Sequence, residues 1–167
     1  FKWKSTKRKI DKKKLKKNDN LYFITTIEFD KKYRVIENLK KIFKKIKIKN
    51  KFFVKLIIKT PNGPALTVAN ILESLNKKKA CIIVNSDQIV DFNFPKKIIP
   101  KKIYIPIHFN MHGKSSYVNI TKNGKLASIY EKKLTSYYAS SGVYIFGSYK
   151  ILKKSYDLFN LNLSKKE

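Results

Sequence analysis

The sequence predicts an α/β domain built on a central, mixed but mostly parallel sheet with helices packed over its faces. Three observations carry this expectation. Strand-like apolar segments alternate with segments of helical spacing between Leu21 and Asn85, as a sheet with helical crossovers requires. The run from Ala80 to Asn85 is continuous in its hydrophobicity, the pattern of a strand covered on both faces. Beyond Pro100 the rhythm changes to short strands with tight turns, which adds antiparallel or mixed strands to the parallel ones.

The elements follow in order. Residues 1–20 are mostly lysine with scattered Ile and Leu and read as a basic arm, leaving 21–167 as one domain. Leu21 to Phe29, rich in apolar, β-branched and aromatic residues, reads as a buried strand. A helix from about Lys31 to Lys45 follows, with Val35, Ile36, Leu39, Ile42, Phe43 and Ile46 at helical spacing. Phe52 to Ile58 is a second strand, Pro61 to Pro64 a turn, and Ala65 to Leu75 a second helix with Val68, Ile71, Leu72 and Leu75 on one face. After the strand at 80–85 come short strands at Ile103 to Phe109, Ser116 to Ile120, Lys125 to Tyr130 and Gly142 to Phe146, with Asn123-Gly124 as a hairpin turn. A last helix, about Ser148 to Leu158, directs Ile151, Leu152, Tyr156 and Leu158 inward.

Composition narrows the function classes. A hydrophobic content of 43% in 167 residues supplies one packed core and excludes wholesale disorder. No apolar run reaches the roughly 20 residues of a membrane-spanning helix, and the opening segment is lysine-rich where a secretory signal would be apolar, so a cytoplasmic protein without a membrane partner is expected. Cys81 is the sole cysteine, which leaves no disulfide framework and no cysteine-based metal cluster. The formal net charge of +28 attracts anions at long range, but only Arg8 and Arg34 are arginines, the residue type that reads base edges, so no specific nucleic-acid partner is expected. Lys, Ile and Asn are the residues that AT-rich codons specify, and genome drift accounts for much of the charge.

Two loops carry the candidate chemistry, because ligands of parallel α/β sheets bind beyond the carboxyl ends of the strands. In the first, Lys59-Thr60-Pro61-Asn62-Gly63-Pro64-Ala65, a glycine admits a close backbone or a flat ligand and a helix start offers N–H groups to an anion. The second, Asn85-Ser86-Asp87-Gln88, delivers a carboxylate that suits a hard cation such as Mg²⁺, although turn or helix capping by Asp87 is the alternative. His108 and His112 lie four apart, but in a strand-and-turn pattern where a structural or exposed role is expected rather than a metal pair.

Together these segments resemble the sugar-phosphate nucleotidyltransferases, the nucleotide-sugar pyrophosphorylases. In that family a Gly- and Ala-containing turn opens a helix and a later strand delivers the aspartate that binds the catalytic magnesium. Gly63-Pro64-Ala65-Leu66-Thr67-Val68 and Ile82-Ile83-Val84-Asn85-Ser86-Asp87-Gln88 occupy those places here. The similarity continues in order through Ser116-Tyr117-Val118, Asn123-Gly124-Lys125-Leu126, Ile129-Tyr130-Glu131-Lys132 and Ala139-Ser140-Ser141-Gly142-Val143-Tyr144-Ile145-Phe146.

The resemblance implies a Rossmann-like, three-layer nucleotidyltransferase (GT-A-like) fold. It also implies nucleotidyl transfer from a nucleoside triphosphate to a sugar 1-phosphate, with Mg²⁺ as cofactor. Asp87 then holds the metal, Lys132 faces the sugar phosphate and Glu131 binds sugar hydroxyls. Gly63, Pro64, Ala65, Ser86, Ser141, Gly142 and Tyr144 line the substrate. Residues 1–60 lack the family's Gly-rich loop with its Arg, and a second metal-binding aspartate falls beyond residue 167. The expectation is therefore a partial domain: an enzyme if its ends are trimmed from a longer parent, an inactive remnant if it stands alone. A homo-oligomer stays open. Two other readings compete. A GT-A-type glycosyltransferase would show Asp-x-Asp where Asn85-Ser86-Asp87 stands. A basic nucleic-acid-binding module would show exposed aromatics on a basic face, whereas most aromatics here sit in apolar strands.

Overall fold

A computed structural model describes residues 16–85, 90 and 92–163, which form two compact units, one ending at Ser74 and the other beginning at Leu75. The basic arm falls largely outside the described residues.

In the first unit, β1 (Leu21–Thr26) and β2 (Phe52–Ile57) pair in parallel, with Leu21 opposite Phe52 and Thr26 opposite Ile57. The chain returns between them through α1 (Ile27–Tyr33) and α2 (Val35–Lys45). One helix was expected and two form. The Thr26 side chain accepts from the Phe29 N–H, so the strand ends at Thr26, three residues short of the expected end at Phe29, and a helix begins at Ile27. Arg34 then sits in the left-handed region (φ 50°, ψ 48°), and the Asp30 carboxylate accepts from Ile36 N–H at 2.9 Å to restart the helix. The alternation of β1 and β2 puts Phe23 and Phe52 on the face that meets Phe43 of α2, with ring centroids 6.1 and 4.6 Å from it. Phe43, Ile57, Ile71 and Leu72 are the buried apolar residues of this unit.

The second expected helix is shorter. α3 spans Pro64–Ala69, a turn follows, and Leu72–Ser74 is a single 3₁₀ turn. Asn70 cuts it off by donating from its side chain to the Leu66 carbonyl at 2.9 Å.

The second unit holds two antiparallel sheets. In one, β9 (Val143–Phe146) lies between β3 (Cys81–Val84) and β4 (Ile103–Tyr104). In the other, the order is β5 (Ile107–Phe109), β8 (Tyr138–Ser140), β6 (Ser116–Ile120), β7 (Leu126–Glu131). The Asn123-Gly124 turn joins β6 to β7 as expected, with Gly124 at φ 68° donating to the Thr121 carbonyl. Central β6 is buried on both faces, with Tyr117 and Val118 0% and 2% exposed, and central β9 is fully buried on one face, with Val143 and Ile145 1% and 0% exposed. The last helix, α4 (Tyr149–Leu163), runs longer than expected and buries Tyr149 and Leu152, while Leu158 is exposed rather than inward.

The expectation of a mostly parallel, Rossmann-like three-layer sheet flanked by helices is overturned. Parallel pairing among the described strands is confined to β1 and β2, and both larger sheets are antiparallel. The reason is connectivity: a parallel pair needs a crossover of a dozen residues or more, usually helical, and the strands from β4 to β9 follow one another through turns and short loops without a helix. The continuous apolar run at β3 is also not covered on both faces, because Ile82 and Val84 are 46% and 55% exposed. It is a strand of antiparallel type whose outward face happens to be apolar.

Gly147 ends β9 where its N–H donates to the Lys102 carbonyl at 2.9 Å, and a Cβ there would lie 1.9 Å from the carbonyl oxygen of Ile99. Neither atom belongs to a flexible side chain. Gly147→Ala is expected to lower unfolding stability by about 3 kcal/mol, seen as a reduced urea midpoint with an unchanged slope.

Candidate functional site

The sequence singles out residues that fall in three places. Gly63, Pro64 and Ala65 belong to the first unit and are exposed. Gly63 adopts φ 100°, ψ 165° at the start of α3, a conformation that favours glycine, and open space surrounds its Cα. Pro64, at the first position of the six-residue α3, has no N–H to offer an anion. Ser86 and Asp87 lie outside the described residues. Glu131, Lys132, Ser141, Gly142 and Tyr144 all belong to the second unit.

Ser116 pairs with Glu131 across β6 and β7, and Ile107 pairs with Ser140 across β5 and β8. Tyr117 pairs with Ala139 across β6 and β8, and because the two strands are antiparallel, one step back on β6 and one step forward on β8 sets Ser116 opposite Ser140. A single row therefore crosses the sheet as Ile107, Ser140, Ser116, Glu131. Directly paired residues share a face, so Ser140, Ser116 and Glu131 point to one side, and the Ser116 hydroxyl donates to the Glu131 carboxylate. At the spacing of hydrogen-bonded strands, Glu131 and Ser140 stand about 10 Å apart. The row runs from buried Ser140 through half-buried Ser116 to exposed Glu131.

Lys132 follows β7 in the left-handed region at φ 52°, and its N–H donates to the Ser115 carbonyl at 3.0 Å. Asn110 holds that turn from the other side: its side-chain N–H donates to the Ser115 hydroxyl at 3.0 Å, and its carbonyl oxygen accepts from His112 N–H at 2.8 Å. His108 is an exposed residue of β5 opposite Ala139, and His112 lies in this turn, so the pair is not arranged on a helix.

At the other end of the row, β8 passes to β9 through Ser141 and Gly142. Gly142 takes φ 72°, and its N–H donates to the Ser140 hydroxyl at 3.2 Å. Its carbonyl accepts from Asn85 N–H at 3.2 Å, which brings the carboxyl end of β3, two residues short of Asp87, against the glycine. Tyr144 is half-buried in β9 opposite Ile83, and its hydroxyl lies 3.4 Å from that of Ser140. Ser141 is 6% exposed, its N–H donates to the Pro106 carbonyl at 3.0 Å, and its hydroxyl has no hydrogen-bond partner. A buried hydroxyl left unmatched costs free energy, so it marks a place where a ligand oxygen or N–H would be welcome.

Sequence reasoning missed Ser116 and Ser140 as members of this row, and it missed β8 altogether. Only the register reveals them, although a serine beginning the strand that pairs with Glu131 was available as a signal. Among the described residues no group of three or more His, Cys, Asp and Glu side chains could hold a metal ion. Burial pushes the Cys81 thiol above its ordinary pKa, which keeps it protonated and unreactive at neutral pH. No helix among the described residues is long and apolar enough to cross a membrane.

The fold of the described residues comprises a parallel strand pair with its helices and two antiparallel sheets. Among solved structures it is similar to the nucleoside-diphosphate-sugar pyrophosphorylase from Vibrio cholerae RC9, with a TM-score of 0.72 and 20% sequence identity over 89% of this chain. The chain spans 62% of that structure's chain, and at this identity the likeness is one of fold. No protein-family model and no curated protein sequence matches the chain.

Replacing Ser141 with alanine removes the unmatched hydroxyl without opening a space larger than one oxygen atom. Ser141→Ala is expected to raise unfolding stability by about 1 kcal/mol, measured as an increased urea midpoint.

Proposed function

We propose that the chain carries the sugar-phosphate side of a nucleotidyltransferase domain, one that joins a sugar 1-phosphate to a nucleoside monophosphate unit taken from a triphosphate. The observation that carries this reading is the row from Ser140 to Glu131, flanked by Lys132 at one end and by the Ser141–Gly142 passage at the other. The row sets a carboxylate and two serine hydroxyls on one face of one sheet, with Lys132 next to Glu131 in the chain and Gly142 N–H on the Ser140 hydroxyl. Sugar hydroxyls are bound by carboxylate and serine oxygens, and a phosphate is bound by lysine and by backbone N–H groups. The likeness in fold to a nucleoside-diphosphate-sugar pyrophosphorylase supports the same reading.

In the reaction, a phosphate oxygen of the sugar phosphate attacks the α-phosphorus of the nucleoside triphosphate and the α–β bridge bond breaks. Nucleotide sugar and pyrophosphate leave. The step needs alignment and neutralised charge rather than covalent help. Lys132 steadies the attacking phosphate, and its left-handed backbone, fixed by the Ser115 carbonyl, sets where the side chain starts. Glu131, oriented by Ser116, accepts from sugar hydroxyls. Ser141 and Gly142 line the sugar, with Tyr144 behind them. Asp87 is the carboxylate assigned to Mg²⁺, which supplies charge neutralisation at the phosphates when bound. Gly63, Pro64, Ala65 and Ser86 are assigned to the nucleotide.

Calorimetric titration with a panel of nucleoside diphosphate sugars, with and without Mg²⁺, tests the assignment. The expected result is Mg²⁺-dependent binding that Asp87→Ala abolishes and Lys132→Ala weakens about tenfold, the loss of one charge-assisted contact. Unchanged binding in both variants rules the site out.

A further inference from the structure

We propose that the β1–β2 sheet of the first unit also presents a stacking platform for single-stranded nucleic acid, centred on Phe53 and flanked by Lys51 and Lys55. Between Glu37 and Glu73 the chain carries nine lysines, from Lys40 to Lys59, and no carboxylate. All nine are exposed. Lys41 of this run pairs with Glu37 at 2.6 Å on α2, whereas Lys51 and Lys55 flank Phe53 in sequence, an aromatic ring left partly outside the core. Phe53 is 45% exposed, although it sits in a strand whose neighbours Phe52 and Phe23 are packed against Phe43.

Strand alternation explains the geometry. The parallel register sets Tyr22 beside Phe53 and Ile24 beside Lys55, so these four share the face opposite α2. Tyr22 stacks on Phe53 with ring centroids 5.0 Å apart and planes 18° apart, and the Tyr22 hydroxyl donates to the Ser74 carbonyl, which holds the pair in place. Lys51 and Lys55 lie two residues to either side of Phe53 along the strand, hence on the same face. A fixed ring with a cation on each side is the arrangement that binds unpaired bases by stacking and their phosphates by charge, without reading sequence. The other lysines raise the potential of the unit as a whole. Base-edge reading would call for arginine, and the chain has only Arg8 and Arg34, of which Arg34 pairs with Glu37 at 2.6 Å. An anionic membrane surface shares the charge chemistry, but it favours protruding apolar side chains over a ring laid against its neighbour.

Fluorescence anisotropy of the full chain with a labelled 20-mer of oligo-dT, and with an abasic oligomer of the same length, tests the platform. The oligo-dT is expected to bind more tightly than the abasic strand. Phe53→Ala and Phe53→Leu are each expected to weaken oligo-dT binding about tenfold, the worth of one stacked base, and to leave abasic binding unchanged. The Leu variant keeps the apolar bulk, so its loss cannot be ascribed to unfolding. Lys51→Gln with Lys55→Gln is expected to flatten the salt dependence by about 1.4 in log–log slope. Equal binding of the two oligomers, or wild-type oligo-dT affinity in both Phe53 variants, overturns the proposal and leaves charge alone. Binding to phosphatidylserine vesicles that depends on Phe53, with none to oligo-dT, overturns it in favour of a membrane surface.

Discussion

The second unit depends on the passage from β8 to β9. Two residues, Ser141 and Gly142, carry the chain from the four-stranded antiparallel sheet into the three-stranded one, and Gly142 does so at φ 72°, where a side chain would be strained. Because β9 then lies between β3 and β4, its inward residues Val143 and Ile145 become the centre of the core. The same passage meets the end of β3 through the Asn85 to Gly142 hydrogen bond. One turn thus joins two sheets, seals a core and brings a strand end to a row of hydroxyls. A buried, unmatched serine at such a crossing is tolerated because packing on both sides over-determines its position.

The candidate site grows from that crossing rather than from a loop of its own. Ser140 is buried, and its hydroxyl accepts from Gly142 N–H, whereas Glu131 and Lys132 lie at the exposed end of β7. The row is therefore rigid at one end and solvated at the other. Such a gradient leaves Glu131 and Lys132 accessible from solvent while Ser140 stays sheltered. Charge across the chain reinforces the open end, since a net +28 draws anionic substrates toward any accessible lysine, an attraction that salt weakens.

The first unit is simpler, and its two faces have separate uses. Phe43 closes one face of the parallel pair against Phe23 and Phe52. The other face buries Ile57 and leaves Phe53 and Lys55 outward. Its helices are joined through a left-handed Arg34, a residue type for which that conformation is uncommon, and the Asp30 carboxylate spans the junction to restore the hydrogen bond that a continuous helix would have made.

By itself the sequence determined most strand positions, the β6–β7 hairpin and the amphipathic α2, because these follow from side-chain period and from turn residues that act over a few positions. It also marked Glu131, Lys132 and the Ser141–Gly142 segment. Tertiary structure decided what local pattern does not contain. Sheet direction is one case: an apolar run such as Cys81–Val84 looks the same in a parallel and an antiparallel neighbourhood, and only its pairing with β9 distinguishes them. The helix break at Arg34 is another, since the competing Asp30 contact lies outside the apolar period. The three-residue β8 is the third, too short to alternate visibly, yet its register with β5 and β6 is what sets Ser140 beside Ser116 and in line with Glu131. Periodicity reports which way a side chain faces; which strand lies next to it is settled by non-local hydrogen bonding and burial.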